Sequence, residues 1–335
     1  MKEAYLYHPL EDGAVQCRAC SHYCWIKPGR RGICGVRENR NGILVSLVYD
    51  RVVAASIDPI EKKPIFHLKP GSTSFSIATV GCNLKCRFCQ NADIAHPGDS
   101  NVGLTGRPIS PEDIVDQALD RGCESISFTY TEPSVFIELA LDTARLAKER
   151  GLYTVFVTNG FMSPDLIEMV APVLDAANVD LKAFDETFYK DQCGARLEPV
   201  KENLRLMRSK GILVEVTTLV IPGLNDDPGR LQDMAEFIAR DLGPETPWHL
   251  SRFHPAHRLT DRGVTPVETL EQACAVGEQA GLHHVYTGNV PGGRESTYCR
   301  SCGALAIERR GYGTRSLLGE EGACPKCKMP VYGIF

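Results

Sequence analysis

Residues 74–91 read SFSIATVGCNLKCRFCQN, an apolar alternating run that breaks at Gly81 into three cysteines, Cys82, Cys86 and Cys89. Apolar alternation is a strand signal, so the pattern predicts a strand that delivers a loop of thiolates. Spaced C-x3-C-x2-C, the loop is short enough to wrap one cluster. Three thiolates can each hold one iron of a [4Fe–4S] cube, whereas a purely structural cluster normally uses a cysteine on all four irons, so one iron is left open. Phe88, just before the last cysteine, adds an apolar wall. A zinc site or a coincidence of cysteines is the plain alternative, and the strand directly ahead of the loop counts against it.

The loop resembles the signature of the radical S-adenosylmethionine (SAM) superfamily. That resemblance implies that the SAM amino and carboxylate groups chelate the open iron. It further implies that the reduced cluster passes one electron to the sulfonium, giving methionine and a 5′-deoxyadenosyl radical that abstracts hydrogen from a substrate. An external electron donor such as flavodoxin or ferredoxin is implied with it. In such a site the cofactor carries the difficult chemistry, and the protein supplies orientation and exclusion of water.

With 335 residues, the chain has room for about two domains or one α/β barrel with appendages. Hydrophobic residues at 43% and charged residues at 24% are ordinary for a globular protein. No apolar run is long enough to span a membrane, and the first residues carry no apolar signal-peptide core, so a cytoplasmic location is expected. The net charge of −5 argues against a whole-protein nucleic-acid footprint, which would be basic. Most of the fourteen cysteines fall in close clusters, which reads as metal binding in a reducing compartment. Cys123, Cys193 and Cys274 stand alone and read as small buried residues.

Cys17, Cys20, Cys24 and Cys34 lie in CRACSHYCWIKPGRRGIC, four soft ligands within eighteen residues. Zinc is the simplest occupant of such a set and an auxiliary iron–sulfur cluster is its rival, because ligand identity alone does not choose between them. His22 reads as a bystander. The alternation in residues 42–55 suggests two short strands, followed by a Pro- and Lys-rich extended connector, DPIEKKPIFHLKPGS, with His67 as a surface or packing residue.

Beyond the loop, strand-like runs at 125–130, 153–158, 179–182, 213–220 and 248–253 alternate with amphipathic helical patterns, several opened by Ser or Asp before Pro. Such alternation predicts an α/β fold with a parallel sheet covered by helices. With the opening strand it makes six β/α units, and the resemblance implies a partial (β/α)6 radical SAM barrel. The regions expected are 1–70, 71–294 and 295–335, the first a Cys-rich module with its connector, the second the barrel, the third a zinc-ribbon-like module. A seventh apolar run, HHVYTGNVPGG, reads as the exit from the barrel.

In parallel sheets of this kind function sits at the carboxyl ends of the strands. TYTEP places Glu132 there, where superfamily members often have two glycines and a glutamate that holds the SAM ammonium; Tyr130 and Thr131 replace the glycines here. VTNG offers Thr158 and Asn159, and DLKAFD offers Asp180 and Lys182. These phrases resemble the activating enzymes of pyruvate formate-lyase and its glycyl-radical relatives, although Val157 stands where that group has a cation-binding aspartate. Asn225 in VIPGLND is a candidate for the SAM ribose, and His254 in SRFHPAH for its adenosine end.

Near the C-terminus, Cys299 and Cys302 in CRSC and Cys324 and Cys327 in CPKC have zinc-ribbon spacing. The intervening hairpin is too small to bury a core, so a metal substitutes for packing, with zinc the first occupant and a rubredoxin-like single iron its rival. Taken together, CRACSHYC, DPIEKKPIFHLKPGS, GCNLKCRFCQN, TYTEP, GNVPGG and CRSC…CPKC resemble the radical SAM enzymes of the AmmeMemoRadiSam system, which implies companions of the AMMECR and Memo types. Three functions follow as expectations. The first is a radical SAM enzyme acting on a substrate other than a glycyl-radical enzyme, the second a glycyl-radical activase. The third is a non-catalytic metal-stabilised protein whose Arg309, Arg310 and Arg315 contact RNA, against which an ordinary solvated hairpin is the plainer reading.

Overall fold

The computed structural model describes residues 1–96 and 103–335. Among the described residues the central element is a sheet of nine strands: β1 (Arg51–Pro59), β2 (Thr73–Thr79), β3 (Arg107–Pro108), β4 (Ser125–Phe128), β5 (Tyr153–Thr158), β6 (Ala176–Asp180), β7 (Leu213–Val220), β8 (Trp248–Arg252) and β9 (Val285–Gly288). Their spatial order is β9-β8-β7-β6-β5-β4-β2-β1-β3, and every pairing from β9 to β2 is parallel. β9 and β3 form the two edges and are not paired with each other, so the barrel is partial.

Helices cover this sheet because the segments between strands carry both an apolar face and a start signal. Ser110 accepts from the Asp113 amide while the Asp113 carboxylate accepts from the Ser110 amide, so two orphan donors at the head of Pro111–Asp120 are satisfied reciprocally. Ser163 and Asp227 cap Pro164–Val170 and Pro228–Phe237 in the same position, each followed by a proline that needs no donor. The strands are buried on both faces, as β4 shows along its whole length, and Trp248 of β8 is fully buried with its indole N–H donating to Thr218 Oγ1 at 3.0 Å.

Three expectations change. The run at 283–293 does not simply leave the barrel: it supplies β9, a seventh parallel strand, because Val285, Tyr286 and Thr287 are buried beside β8. Of the two short strands expected at 42–55, Ile43–Ser46 joins a small N-terminal sheet, but β1 runs nine residues and pairs antiparallel with β2. The connector is not extended throughout: Ile60–Lys62 form a single helical turn, and the segment after it is fixed to the sheet. The Glu215 carboxylate accepts the amides of Phe66 and His67 at 2.8 Å and faces His249 Nε2 at 2.6 Å, while His67 Nε2 lies 2.8 Å from the Tyr286 hydroxyl. His67 is thus a buried packing residue at the amino-terminal side of the sheet.

The same polar cluster takes in the C-terminal hairpin (Leu305–Arg310 with Gly313–Ser316). Arg309 is buried, donating to Phe66 O at 2.6 Å and to Thr297 Oγ1 at 2.8 Å over the Phe66 ring. It is therefore unavailable to an external phosphate, and Arg310 and Arg315 both pair with Glu308 at 3.4 and 2.9 Å. No helix among the described residues is long and apolar enough to cross a membrane.

Candidate active site

At the carboxyl end of β2 the chain turns sharply. Gly81 takes a φ of +106°, and a Cβ there would lie 2.6 Å from Val36 Cγ1, so only glycine lets the turn press against the N-terminal region. The loop that follows is held along its length. His22 Nε2 donates to the Asn83 carbonyl at 2.8 Å, the Lys85 amide to Cys193 O at 2.8 Å, and the Arg87 amide to Gln192 O at 2.9 Å. Cys82, Cys86 and Cys89 then line one cavity of about 560 Å³ with Phe88.

The sulfur environment suits a cluster. Cys82 Sγ accepts the Leu84 amide at 3.5 Å and lies 3.7 Å from Asn159 Nδ2, contacts of the kind that tune cluster thiolates. Burial and the nearby Glu132 push the Cys82 thiol well up, and burial pushes Cys89 up to about 11. Cys86 goes the other way, held down by a hydrogen bond from Cys193, with burial opposing it. Solitary in the sequence, Cys193 is a buried neighbour of the loop.

The strand-end residues converge on the same cavity. Glu132, Thr158, Asn159, Asp180 and Lys182 all line it. The Glu132 carboxylate is fully buried, so desolvation pushes its pKa up, but it accepts the Ser134 amide (3.1 Å), the Thr158 hydroxyl (2.9 Å) and the Asn159 amide (2.9 Å). Three donors on two oxygens leave acceptor capacity for a cation from the cavity. Asn159 Nδ2 also donates to Asn83 Oδ1 at 2.7 Å, which couples the β5 turn to the cysteine loop. Asp180, the last residue of β6, and Lys182 pair at 2.9 Å; burial opposes the Lys182 ammonium, but Asp180 and the neighbouring thiols hold its pKa well up.

Two candidates lie outside the lining. Asn225 is buried with its amide donating to Lys182 O and Leu219 O and accepting from the Ile221 amide, a turn-fixing role. His254 is exposed.

The sequence reading missed the far wall. Lys62, Lys63, Tyr130 and Tyr312 line the cavity, and Asp58 ties three of them together: Lys62 donates to it at 2.7 Å, with Lys63 and the Tyr130 hydroxyl on its other oxygen. Burial works against the Asp58 carboxylate, but these donors outweigh it and hold the group below the ordinary range. Tyr130 has φ +62°, the left-handed region that suits glycine, so its position where the related motif has glycine carries a strain of roughly 1–2 kcal/mol. The hydroxyl bond to Asp58 and the Lys63 ammonium 4.6 Å from the ring centroid offset it. Two lysines beside a Tyr at a strand end carry no sequence signal for this, since Asp58 and Tyr130 meet only across β1, β2 and β4.

Comparison with known proteins agrees with this geometry. The profile of the Radical SAM superfamily matches residues 76–238. The Methanocaldococcus jannaschii protein MJ0808 is 46% identical over 311 residues, 92% of each chain. The pyruvate formate-lyase-activating enzyme of Clostridium pasteurianum is 24% identical, over 57% of this chain and 82% of its own. Among solved structures, a radical SAM methyltransferase from Sphaerobacter thermophilus superimposes with a TM-score of 0.52 at 18% identity, over 71% of each chain, a likeness of fold. The chain belongs to the radical SAM superfamily, which implies a [4Fe–4S] cluster and SAM as cofactors.

Near the C-terminus the four thiols of Cys299, Cys302, Cys324 and Cys327 gather within 4.8 Å of one another, with Cys299–Cys327 at 3.5 Å and Cys302–Cys324 at 3.7 Å. A Zn–S bond of about 2.3 Å in a tetrahedron places sulfurs roughly 3.8 Å apart, so this group has the dimensions of a single-ion site.

Proposed function

We infer that this chain binds a [4Fe–4S] cluster through Cys82, Cys86 and Cys89 and reductively cleaves SAM, to abstract hydrogen from a substrate held in the same cavity. The observation that carries this is the convergence of the three thiols with Glu132, Asn159, Asp180 and Lys182, from successive strand ends, on one cavity. When bound, the cluster supplies the electron that breaks the C5′–S bond of SAM. Glu132, fixed by Thr158 and Asn159, takes the SAM ammonium. Lys182, steadied by Asp180 and 5.8 Å from the centroid of the Phe88 ring, sets positive charge beside the thiolates, and Phe88 keeps water from that side. The substrate sits between this group and the wall of Tyr130, Lys63 and Tyr312.

Glycyl-radical activation is the second reading, favoured by the similarity to the Clostridium pasteurianum activating enzyme. Tyr312 of the C-terminal hairpin lines the same cavity, so a substrate must share that space with it, which favours the first. The same inference includes zinc in the C-terminal quartet, a flavodoxin- or ferredoxin-class electron donor, and AMMECR- and Memo-type companions carried by the whole-chain resemblance. Anaerobic reconstitution with iron and sulfide, then EPR of the reduced protein with and without SAM, tests it. A signal shifted by SAM, accompanied by 5′-deoxyadenosine and lost in a Cys82→Ala, Cys86→Ala, Cys89→Ala variant, is expected. A cluster that ignores SAM sinks the inference.

A further inference from the structure

The N-terminal quartet is built differently from the C-terminal one. Cys17, Cys20, Cys24 and Cys34 all face one small cavity, and three of them are buried. Among the described residues, the C-terminal quartet forms the one group of three or more ligating side chains gathered within 4.8 Å. The N-terminal thiols are therefore spread more widely than one tetrahedral ion draws them, as are the three thiols of the loop at Cys82. A cluster spreads its thiolates because each binds a different iron.

Arg37 supplies an independent observation. Its side chain is buried on the wall of this cavity, with Nη2 donating to both oxygens of Glu138 at 2.6 and 2.7 Å and Nε reaching Val135 O at 3.3 Å. Nη1 is buried and has no hydrogen-bond partner in the protein. A buried guanidinium N–H requires an acceptor. Arg37 shares the wall of this small cavity with Cys17 and Cys34, so sulfur is the acceptor at hand.

The cavity also abuts the cysteine loop. His22 lines it and donates to the carbonyl of Asn83, the residue after Cys82. Ser134, on the same wall, lies 3.5 Å from Asn83 Nδ2. One layer of side chains separates the two thiol sites.

We propose that Cys17, Cys20, Cys24 and Cys34 hold a [4Fe–4S] cluster, that Arg37 Nη1 donates to its sulfur, and that this cluster relays electrons across His22 and Asn83 to the loop. The relay rests on the radical SAM function inferred above; the occupancy does not. One electron enters from a low-potential ferredoxin- or flavodoxin-class donor, which is oxidised, and the same electron leaves for the loop site, so the N-terminal site returns to its starting state. Zinc, without redox chemistry, serves no such path.

The test uses the full chain, reconstituted anaerobically, with iron, zinc and acid-labile sulfide counted. The Cys82→Ala, Cys86→Ala, Cys89→Ala variant is expected to keep about four irons and four sulfides, with an EPR signal that ignores SAM. Sulfide-free protein with a second zinc overturns the proposal. Arg37→Lys, which keeps charge but loses the fork, is expected to move the midpoint potential of that retained signal to a more negative value; an unmoved midpoint removes the Arg37 donor. In Cys20→Ser, Cys24→Ser, the ratio of protein-driven to dithionite-driven 5′-deoxyadenosine is expected to fall about tenfold, and an unchanged ratio removes the relay. A loop cluster that fails to respond to SAM overturns the inferred function and leaves the iron and sulfide count of the triple variant standing.

Discussion

The two four-cysteine groups carry the same ligands in opposite surroundings. The C-terminal thiols sit on a small hairpin sheet, close together, with Cys327 exposed and the nearby charges Glu308, Arg310 and Arg315 paired at the surface. The N-terminal thiols line a wall shared with the barrel, backed by the buried pair of Arg37 and Glu138 and joined to the cysteine loop through His22. Ligand count is thus a weak guide to the occupant. The spacing between sulfurs and the donors behind them are what distinguish the two groups.

The largest way to break this contrast is Glu138→Ala. Removing one partner of a buried pair leaves an uncompensated charge, so urea unfolding is expected to report a loss of about 3–5 kcal/mol. An Arg37→Met, Glu138→Leu double variant should recover much of it. A single variant costing under about 1 kcal/mol would mean that Arg37 is solvated like Arg310 and Arg315.

Asp58 extends the buried side of the contrast to the active-site wall. Asp58→Asn is expected to cost about 1–3 kcal/mol at neutral pH, since Lys62, Lys63 and Tyr130 lose a charged acceptor. The folded carboxyl lies below its ordinary value of 3.8, so its contribution is complete above that pH and is lost as pH falls through the lower folded value. The difference between wild type and variant should therefore narrow on acidification below pH 3.8, as read by thermal melts across pH. A difference that stays constant there would show that the carboxylate is not the stabilising form.

Glu308→Ala marks the small end. Its pairs with Arg310 and Arg315 are exposed, so the loss expected is below about 1 kcal/mol and should shrink further in high salt. A loss of several kcal/mol would place the hairpin charges with the buried ones.

Much of the candidate site was legible because local chemistry writes itself locally. The alternation of residues 74–80, the three loop cysteines, and Glu132, Thr158, Asn159, Asp180 and Lys182 as strand-end residues are patterns of a few adjacent positions, and the fold brings them to one cavity. Asn225 and His254 were equally near strand ends, but a strand end fixes only where the backbone stops. Asn225 turned inward to satisfy backbone groups, and His254 points to solvent. Cys193 is the small buried residue expected, but its place beside the loop, like the contacts of His22, Arg37 and Tyr130, was not legible because each depends on a partner 61 to 107 positions away.

The sequence alone therefore determined the chemical inventory: a thiolate loop after a strand, two further cysteine quartets, and apolar strands alternating with amphipathic helices. Those follow from covalent spacing and hydrophobic periodicity, which act within a few residues. The tertiary structure decided which thiols lie close and which stand apart, that β1 and β9 complete the sheet, and that Asp58 binds Tyr130 in a left-handed turn. Such outcomes depend on distances and unmet hydrogen bonds between segments far apart in the chain, and only packing sets those.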